Sequence, residues 1–291
     1  GRHLVSAPLF TQILASQLLL AAGSPEQKSQ WLPKIADGSI IASIAMTEMN
    51  GSWNSADIEA SHSNGTLTGT KTSVLNGTDA DLIISVVKET DGQLQLALLE
   101  KSAVAGKMQR ETAIDETRRS FRLNLDGIQV AQSQLLNSGN VNDAIAQMSR
   151  TAWLLLSAEM AGGINGVMDV TVEYLKLRKQ FGQPIGSYQG LKHPMANILV
   201  DLESSRSHCY HAASVVSDGP ESETAEIAAR MAISLASETF TYASDRAIQF
   251  HGGFGFTYDC DAQLFLRRAR WCEFAFGDAQ HHRKKLADLL L

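Results

Sequence analysis

Between Val5 and Ile35 the apolar positions recur at helical spacing, with Leu9, Ile13, Leu14 and Leu18 on one stripe. Gly23-Ser24-Pro25-Glu26 then stops one helix and starts another, since serine caps a helix and proline fits its first turn. Past Ile40 the pattern changes. Runs with strand composition fall at 66–72, 82–88, 94–99 and 121–130, and Asn64-Gly65, Asn76-Gly77, Asp91-Gly92 and Asp126-Gly127 separate them at intervals suited to antiparallel hairpins or a small barrel. After Ser138-Gly139 the helical period returns and predicts long amphipathic helices at 143–179, 187–217, 221–250 and 272–290, lengths that suit a bundle. Ser217-Asp218-Gly219-Pro220 reads as a tight turn whose proline opens the next helix, and Pro194 marks either a late start or a kink in the helix at 187–217. The expected class is α+β: a helical part at 1–39, a central antiparallel β domain at 40–138 and a helical bundle at 139–291.

Composition narrows the possibilities. With 291 residues, 44% of them hydrophobic and 19% charged, the chain can bury a cofactor and is far from the composition of a disordered segment. Its longest apolar stretches, such as 18–22 and 153–156, fall well short of the ~20 residues that cross a bilayer, so no membrane insertion is expected. A net charge of -6 disfavours the broad basic face that nucleic acid requires. Cys209, Cys260 and Cys272 have no CxxC spacing, which argues against a disulfide framework and a thiolate zinc site and for a cytoplasmic location. His208 with His211, and His281 with His282, lack a third ligand at suitable spacing and read as packing or surface residues, so no metal is expected.

Three segments carry the chemistry. Thr47-Glu48-Met49-Asn50-Gly51-Ser52 leaves the first helical part, Arg178-Lys179-Gln180-Phe181-Gly182-Gln183-Pro184-Ile185 joins two helices, and Gln249-Phe250-His251-Gly252-Gly253-Phe254-Gly255-Phe256 ends another. In this order the three resemble the acyl-CoA dehydrogenase family over almost the whole chain. The resemblance implies a shortened N-terminal helical domain, a central β domain and a C-terminal four-helix bundle. It also implies FAD as cofactor, an acyl-CoA substrate and an electron-transferring flavoprotein as acceptor. The family's reaction removes a proton beside the thioester with a carboxylate while the β carbon gives hydride to the flavin. Its flavin lies in one subunit while a neighbour holds the ADP part. For that neighbour role the resemblance implies Arg178 on the pyrophosphate, Phe181 as a stacking ring, and Gln249, Gly252 and Gly253 where backbone must approach phosphate closely. His251 and Gln280 are weaker candidates for the same cofactor.

The chain's own flavin pocket matches less well. Thr47 and Ser52 fit the family's threonine and serine, but one residue too close together. The family's Lys-x-Trp-x-Thr-Asn-Gly segment reads Lys71-Thr72-Ser73-Val74-Leu75-Asn76-Gly77, with Ser73 for the indole and Leu75 for the hydroxyl. The position of the usual glutamate base falls on Phe276, and the family's second location for that base falls on Ala152. Glu159 lies two turns from Ala152, ~10 Å along the axis and too far to substitute. Asp278 is the one nearby carboxylate, and an N-cap of the last helix is its competing role. The sequence is therefore read as the base-lacking subunit of a heteromeric FAD-dependent acyl-CoA dehydrogenase. It resembles the shortened chains of the α2β2 enzymes of bacterial steroid degradation, whose partner subunit supplies the base. A self-sufficient homotetramer using Asp278 is one alternative, and a non-catalytic binding protein on this scaffold, disfavoured by the acidic charge, is another.

Overall fold

The computed structural model describes residues 1–291, and contacts group them into two compact units, Ser6–Ser149 and Gly1–Val5 with Arg150–Leu291. The three-part division expected from sequence follows element type; these units follow packing, and they put the first two helices with the sheets.

In the first unit α1 (Leu9–Ala22) buries Phe10, Leu14, Ala15, Leu18, Leu19 and Ala22; of the expected stripe Leu14 and Leu18 face the core, whereas Leu9 and Ile13 are exposed, so the buried face is rotated from the one read in sequence. Gly23 ends it and Ser24 opens α2 (Pro25–Ala36) with a capping box, the Ser24 hydroxyl accepting from Gln27 N and the Gln27 side chain accepting from Ser24 N. The Gln27 amide also donates to the carbonyls of Ser133 and Leu135, which fixes α2 to the end of the β region.

Ten strands follow: β1 (Ala42–Ala45), β2 (Ser61–Ser63), β3 (Thr66–Thr68), β4 (Thr70–Leu75), β5 (Leu82–Glu89), β6 (Leu94–Glu100), β7 (Met108–Arg110), β8 (Ser120–Asn124), β9 (Ile128–Gln129) and β10 (Leu135–Leu136). One sheet has the order β10-β6-β5-β2-β3-β9, with β1 also on β5; the other is β4-β8-β7. The expectation of an antiparallel domain needs correction, because β5 pairs in parallel with both β1 and β2. Asn64-Gly65 and Asp91-Gly92 do close hairpins, β2–β3 and β5–β6. Asn76-Gly77 and Asp126-Gly127 instead carry the chain from one sheet to the other. The run at 66–72 divides at Gly69, whose φ of +111° and a Cβ only 2.9 Å from Ala60 leave room for glycine alone. Leu67, Val74, Ile83, Val87, Leu99, Leu123 and Leu125 form one core from both sheets.

A buried ion pair crosses this core's edge. Lys71 Nζ lies 2.6 Å from Glu48 Oε1, with side chains 0% and 5% exposed, and the same carboxylate accepts from Glu59 N and Ala60 N. Burial pushes the Lys71 ammonium below its ordinary pKa and the Glu48 carboxylate opposes that shift.

The second unit is helical. It contains α3 (Val141–Leu177), whose first turns belong to the other unit, the short strands β11 (Lys179–Gln180) and β12 (Gln183–Pro184), α4 (Gln189–Asp218), α5 (Glu223–His251), α6 (Ala262–Phe274) and α7 (Ala279–Leu290). Pro194 is the sixth residue of α4, where it removes the one bond that would reach the Gly190 carbonyl, and the helix continues through it. Ser222, not Pro220, opens α5, its hydroxyl accepting from Ala225 N. Alanines 212, 228 and 232 let α4 and α5 pack closely, with Leu154 of α3 against them. The single helix expected at 272–290 is two, and α6 begins upstream of it at Ala262. The break is local chemistry: Phe276 and Gly277 take φ of +61° and +109°, and the Asp278 carboxylate caps α7 by accepting from His281 N at 2.7 Å.

Lys71→Met would strand the Glu48 carboxylate in the core and is expected to lower the unfolding free energy by ~3–5 kcal/mol. Urea denaturation measures it; a loss below ~1 kcal/mol would mean that the pair behaves like an exposed one.

Candidate functional site

Left-handed residues follow α3, α5 and α6, and the clamp candidates sit at the first two of these turns. After α3 the chain makes the β11–β12 hairpin, pairing Gln180 with Gln183, and the two residues between them, Phe181 and Gly182, have φ of +53° and +83°. Positive φ at both central positions marks a type I′ turn, which favours Asn-Gly and penalises a bulky first residue. Phe181 nonetheless stands at the tip, 92% exposed, with Tyr188 edge-on at 6.4 Å. The Tyr188 hydroxyl donates to Gln180 O, bracing the hairpin. Arg178 precedes the hairpin with its side chain exposed, and its amide donates to Tyr174 O at 2.9 Å.

At the end of α5, Gln249 is exposed and Gly252 turns the chain at φ +63°. A Cβ at Gly252 or Gly253 would meet nothing within 4 Å, so nothing in the chain itself demands the small residue at Gly253. The open surface there admits a ligand close to the backbone. A helix C-terminus carries partial negative charge, so attraction for a phosphate must come from the Arg178 guanidinium. His251 is different: its ring is buried at 4% exposure, stacks on Tyr174 at 4.2 Å, and donates from Nδ1 to Ala247 O. The structure thus brings the Arg178–Gly182 and Gln249–Gly253 segments together through the Tyr174–His251 contact, and keeps the histidine as packing.

Thr47 and Ser52 belong to the other unit. The Thr47 carbonyl accepts from Thr72 N, and the Ser52 hydroxyl donates to Asp57 at 2.6 Å. Ser73, where an indole is expected, sits on a bulge of β4 at φ +56°, its amide held by the Glu111 carboxylate. Leu75 points into protein, 8% exposed. Glu48 and Lys71, from the same two segments, are the buried ion pair and hold the fold.

Around Phe276 the carboxylates have partners within the chain. The Trp153 indole donates to Phe276 O at 3.0 Å, placing the residue beside Ala152 against the residue at the expected base position. Arg230 stacks over the Trp153 ring at 4.1 Å and lies 3.1 Å from His282 Nδ1. Glu226 holds both Arg230 and Arg150, Glu159 is paired with Arg268, and Asp278 is the α7 cap. Burial, then the Arg230 charge, drive His282 down to about 3, so it is neutral and accepts at Nδ1 from the guanidinium. Gly277 must lack a side chain, since its Cβ would lie 2.8 Å from His282 Nε2. Gln280 is exposed on the first turn of α7. Sequence reading missed this Trp153–Arg230–His282 group; its members are 52 to 129 positions apart, and no spacing rule connects them.

Residues 142–291 match the family of acyl-CoA dehydrogenase C-terminal domains. The acyl-CoA dehydrogenase IpdE2 of Mycobacterium tuberculosis is 33% identical over 270 residues, covering 92% of this chain and 68% of the relative. The chain belongs to the acyl-CoA dehydrogenase family. It stands therefore among oxidoreductases that act on CH–CH bonds. FadE12 of the same organism is 30% identical over 267 residues, 87% of this chain and 68% of its own length. Solved structures share the fold. The ChsE4-ChsE5 complex from M. tuberculosis gives a TM-score of 0.86 at 24% identity, covering 100% of this chain and 77% of that one. A glutaryl-CoA dehydrogenase from Mycobacterium smegmatis in complex with FADH2 gives 0.87 at 19%, covering 97% and 74%. No helix of the chain is long and apolar enough to cross a membrane.

Two measurements check this site. Phe181→Asn relieves the left-handed backbone and should raise stability by ~1 kcal/mol; a lower thermal midpoint would mean that the ring packs for structure. His282 stays neutral in the fold down to about pH 3, whereas the unfolded chain takes up that proton near its ordinary pKa of 6.5. Stability should therefore fall as pH drops below that ordinary value, by up to ~1.4 kcal/mol per unit, and His282→Asn should flatten the slope in denaturant titrations.

Proposed function

We propose that this chain is the clamp-bearing, base-lacking subunit of a heteromeric acyl-CoA dehydrogenase. Arg178, Phe181, Gln249, Gly252 and Gly253 hold the ADP part of an FAD whose flavin ring lies in a partner subunit that also carries the base. One observation carries the reading: the residues a neighbour's cofactor needs are exposed and unobstructed, while those for the chain's own turnover are absent or committed. Phe181 is 92% exposed on strained backbone, and Phe276 stands at the base position with its carbonyl bound by Trp153.

The fit to FAD is accordingly one-sided. The clamp offers a planar cation for pyrophosphate, a ring for adenine and glycine backbone for close approach. The β-domain face offers Ser73 on a bulge tied to Glu111, and a buried Leu75, in place of an indole and a hydroxyl. When bound, FAD supplies the hydride acceptor for α,β-dehydrogenation of a CoA thioester. The residues of this chain bind and orient its nucleotide end. A steroid-derived acyl group is the proposed substrate, and an electron-transferring flavoprotein the proposed acceptor. The ChsE4-ChsE5 complex, of which one chain shares this fold, supports the heteromeric arrangement. The self-sufficient alternative is weaker, since the Asp278 carboxylate is engaged as the α7 cap.

Purified alone the chain should be colourless, and co-expressed with its flavin-bearing partner it should yield less than one FAD per chain. Removing a charge-assisted contact costs ~1.5–3 kcal/mol, so Arg178→Ala should weaken FAD binding by the complex ~10- to 100-fold. Full flavin stoichiometry in that variant, or a yellow homotetramer that loses turnover in Asp278→Asn, would overturn the reading.

A further inference from the structure

We infer that Tyr174 is a positioning residue: with His251 it forms a strut that holds the two halves of the clamp at a fixed spacing. This rests on the clamp reading above. The halves arrive from distant parts of the chain, at the ends of α3 and α5, and helix ends are where backbone opens most readily. Two exposed turns, each free to fray, would hold a cation and a glycine backbone at variable separation, and binding would have to supply the ordering each time.

Tyr174 removes that freedom from both sides. It lies one helical turn before Arg178, whose amide bonds its carbonyl, so the ring is rigidly coupled to the base of the hairpin. The ring stacks on His251 at 4.2 Å with 28° between planes, and on Phe254 at 6.3 Å with 19°, spanning the turn that contains Gly252 and Gly253. Its hydroxyl donates, over a long 3.4 Å, to His251 O, the carbonyl of the peptide that enters Gly252. The bond from His251 Nδ1 to Ala247 O at 2.7 Å fixes the imidazole to the body of α5, so the stack has an anchored partner. Arg178, Gly252, Gly253 and Phe254 are exposed whereas His251 is buried, which puts the rigid contact directly behind the surface that would meet the nucleotide.

The test separates the strut from the clamp. In the ligand-free chain, amide hydrogen exchange should show Tyr174→Leu raising exchange in both 178–184 and 251–255, by about two- to tenfold, the factor that loss of one aromatic pair gives. Tyr174→Phe should restore protection, since it keeps the stack. His251→Asn is the second variant should Tyr174→Leu not fold; it removes the ring from the opposite side. Exchange that is unchanged, or that rises in one segment alone, overturns the strut. FAD titrated into the complex with the flavin-bearing partner, followed by flavin fluorescence, is the second readout. Affinity should fall by a similar factor in Tyr174→Leu and recover in Tyr174→Phe. Arg178→Ala should lose affinity with exchange unchanged. If both segments loosen while FAD affinity holds in Tyr174→Leu and in Arg178→Ala, the clamp reading fails and the positioning role fails with it.

Discussion

A left-handed residue is a common way to end a helix sharply, and L residues other than glycine resist that conformation. Three helices of the bundle unit meet this constraint in three ways. After α3 the turn falls on Phe181 and Gly182, after α5 on Gly252, and after α6 on Phe276 and Gly277. The clamp candidates and Phe276 lie at or beside these turns, whereas Thr47 and Ser52 belong to the β unit and Ala152 lies within α3. Helix ends are thus where the bundle unit gathers its candidate positions. The alternative, a gradual unwinding, would leave carbonyls unpaired and could not project Phe181 into solvent within a few residues of the helix.

The charges follow a consistent economy. Each carboxylate near the bundle positions that matter is already committed: Glu159 to Arg268, Glu226 to Arg150 and Arg230, Asp278 to the α7 amide. In the β unit Glu48 is spent on Lys71. A general base needs a carboxylate whose lone pairs face a substrate and whose pKa is raised by burial without a counter-ion. At Glu226 burial is outweighed by the Arg230 and Arg150 cations, which hold the carboxylate below its ordinary range. The neutral His282 does not fill the role, because its Nδ1 lone pair is turned to Arg230.

What could be read in the sequence was mostly local. The break between α1 and α2 at Gly23-Ser24-Pro25 and the hairpins at Asn64-Gly65 and Asp91-Gly92 depend on residues a few positions apart, and turn and cap chemistry encodes them, whereas which face of α1 is buried was read only in part, since Leu9 and Ile13 are exposed. The parallel pairing of β5 with β1 and β2 was not legible, since alternation reveals a strand's faces and not its neighbour. The break before α7 had a signal in Gly277-Asp278, a C-cap glycine followed by an N-cap acid, but the helical period on both sides masked it. The residues proposed for the clamp were legible only as motifs. That Tyr174 joins them, and that His251 is packing, needed coordinates, because a ring stack between positions 174 and 251 leaves no trace in spacing.

The two left-handed phenylalanines show why exposure, more than conformation, decides the functional assignment. Phe276 has its carbonyl held by Trp153 and its ring half-buried, so intramolecular contacts offset the strain of its backbone. Phe181 has nearly the same φ, yet its ring is 92% exposed and Tyr188 meets it only edge-on. The type I′ turn explains the positive φ and would be satisfied at lower cost by asparagine. It does not explain a phenyl ring. A side chain that adds steric strain and exposed apolar area without burying anything at home lowers the stability of the isolated chain. Its return must come from a surface outside the chain, and a flat aromatic group stacked between the hairpin tip and a second subunit is a surface of the right shape.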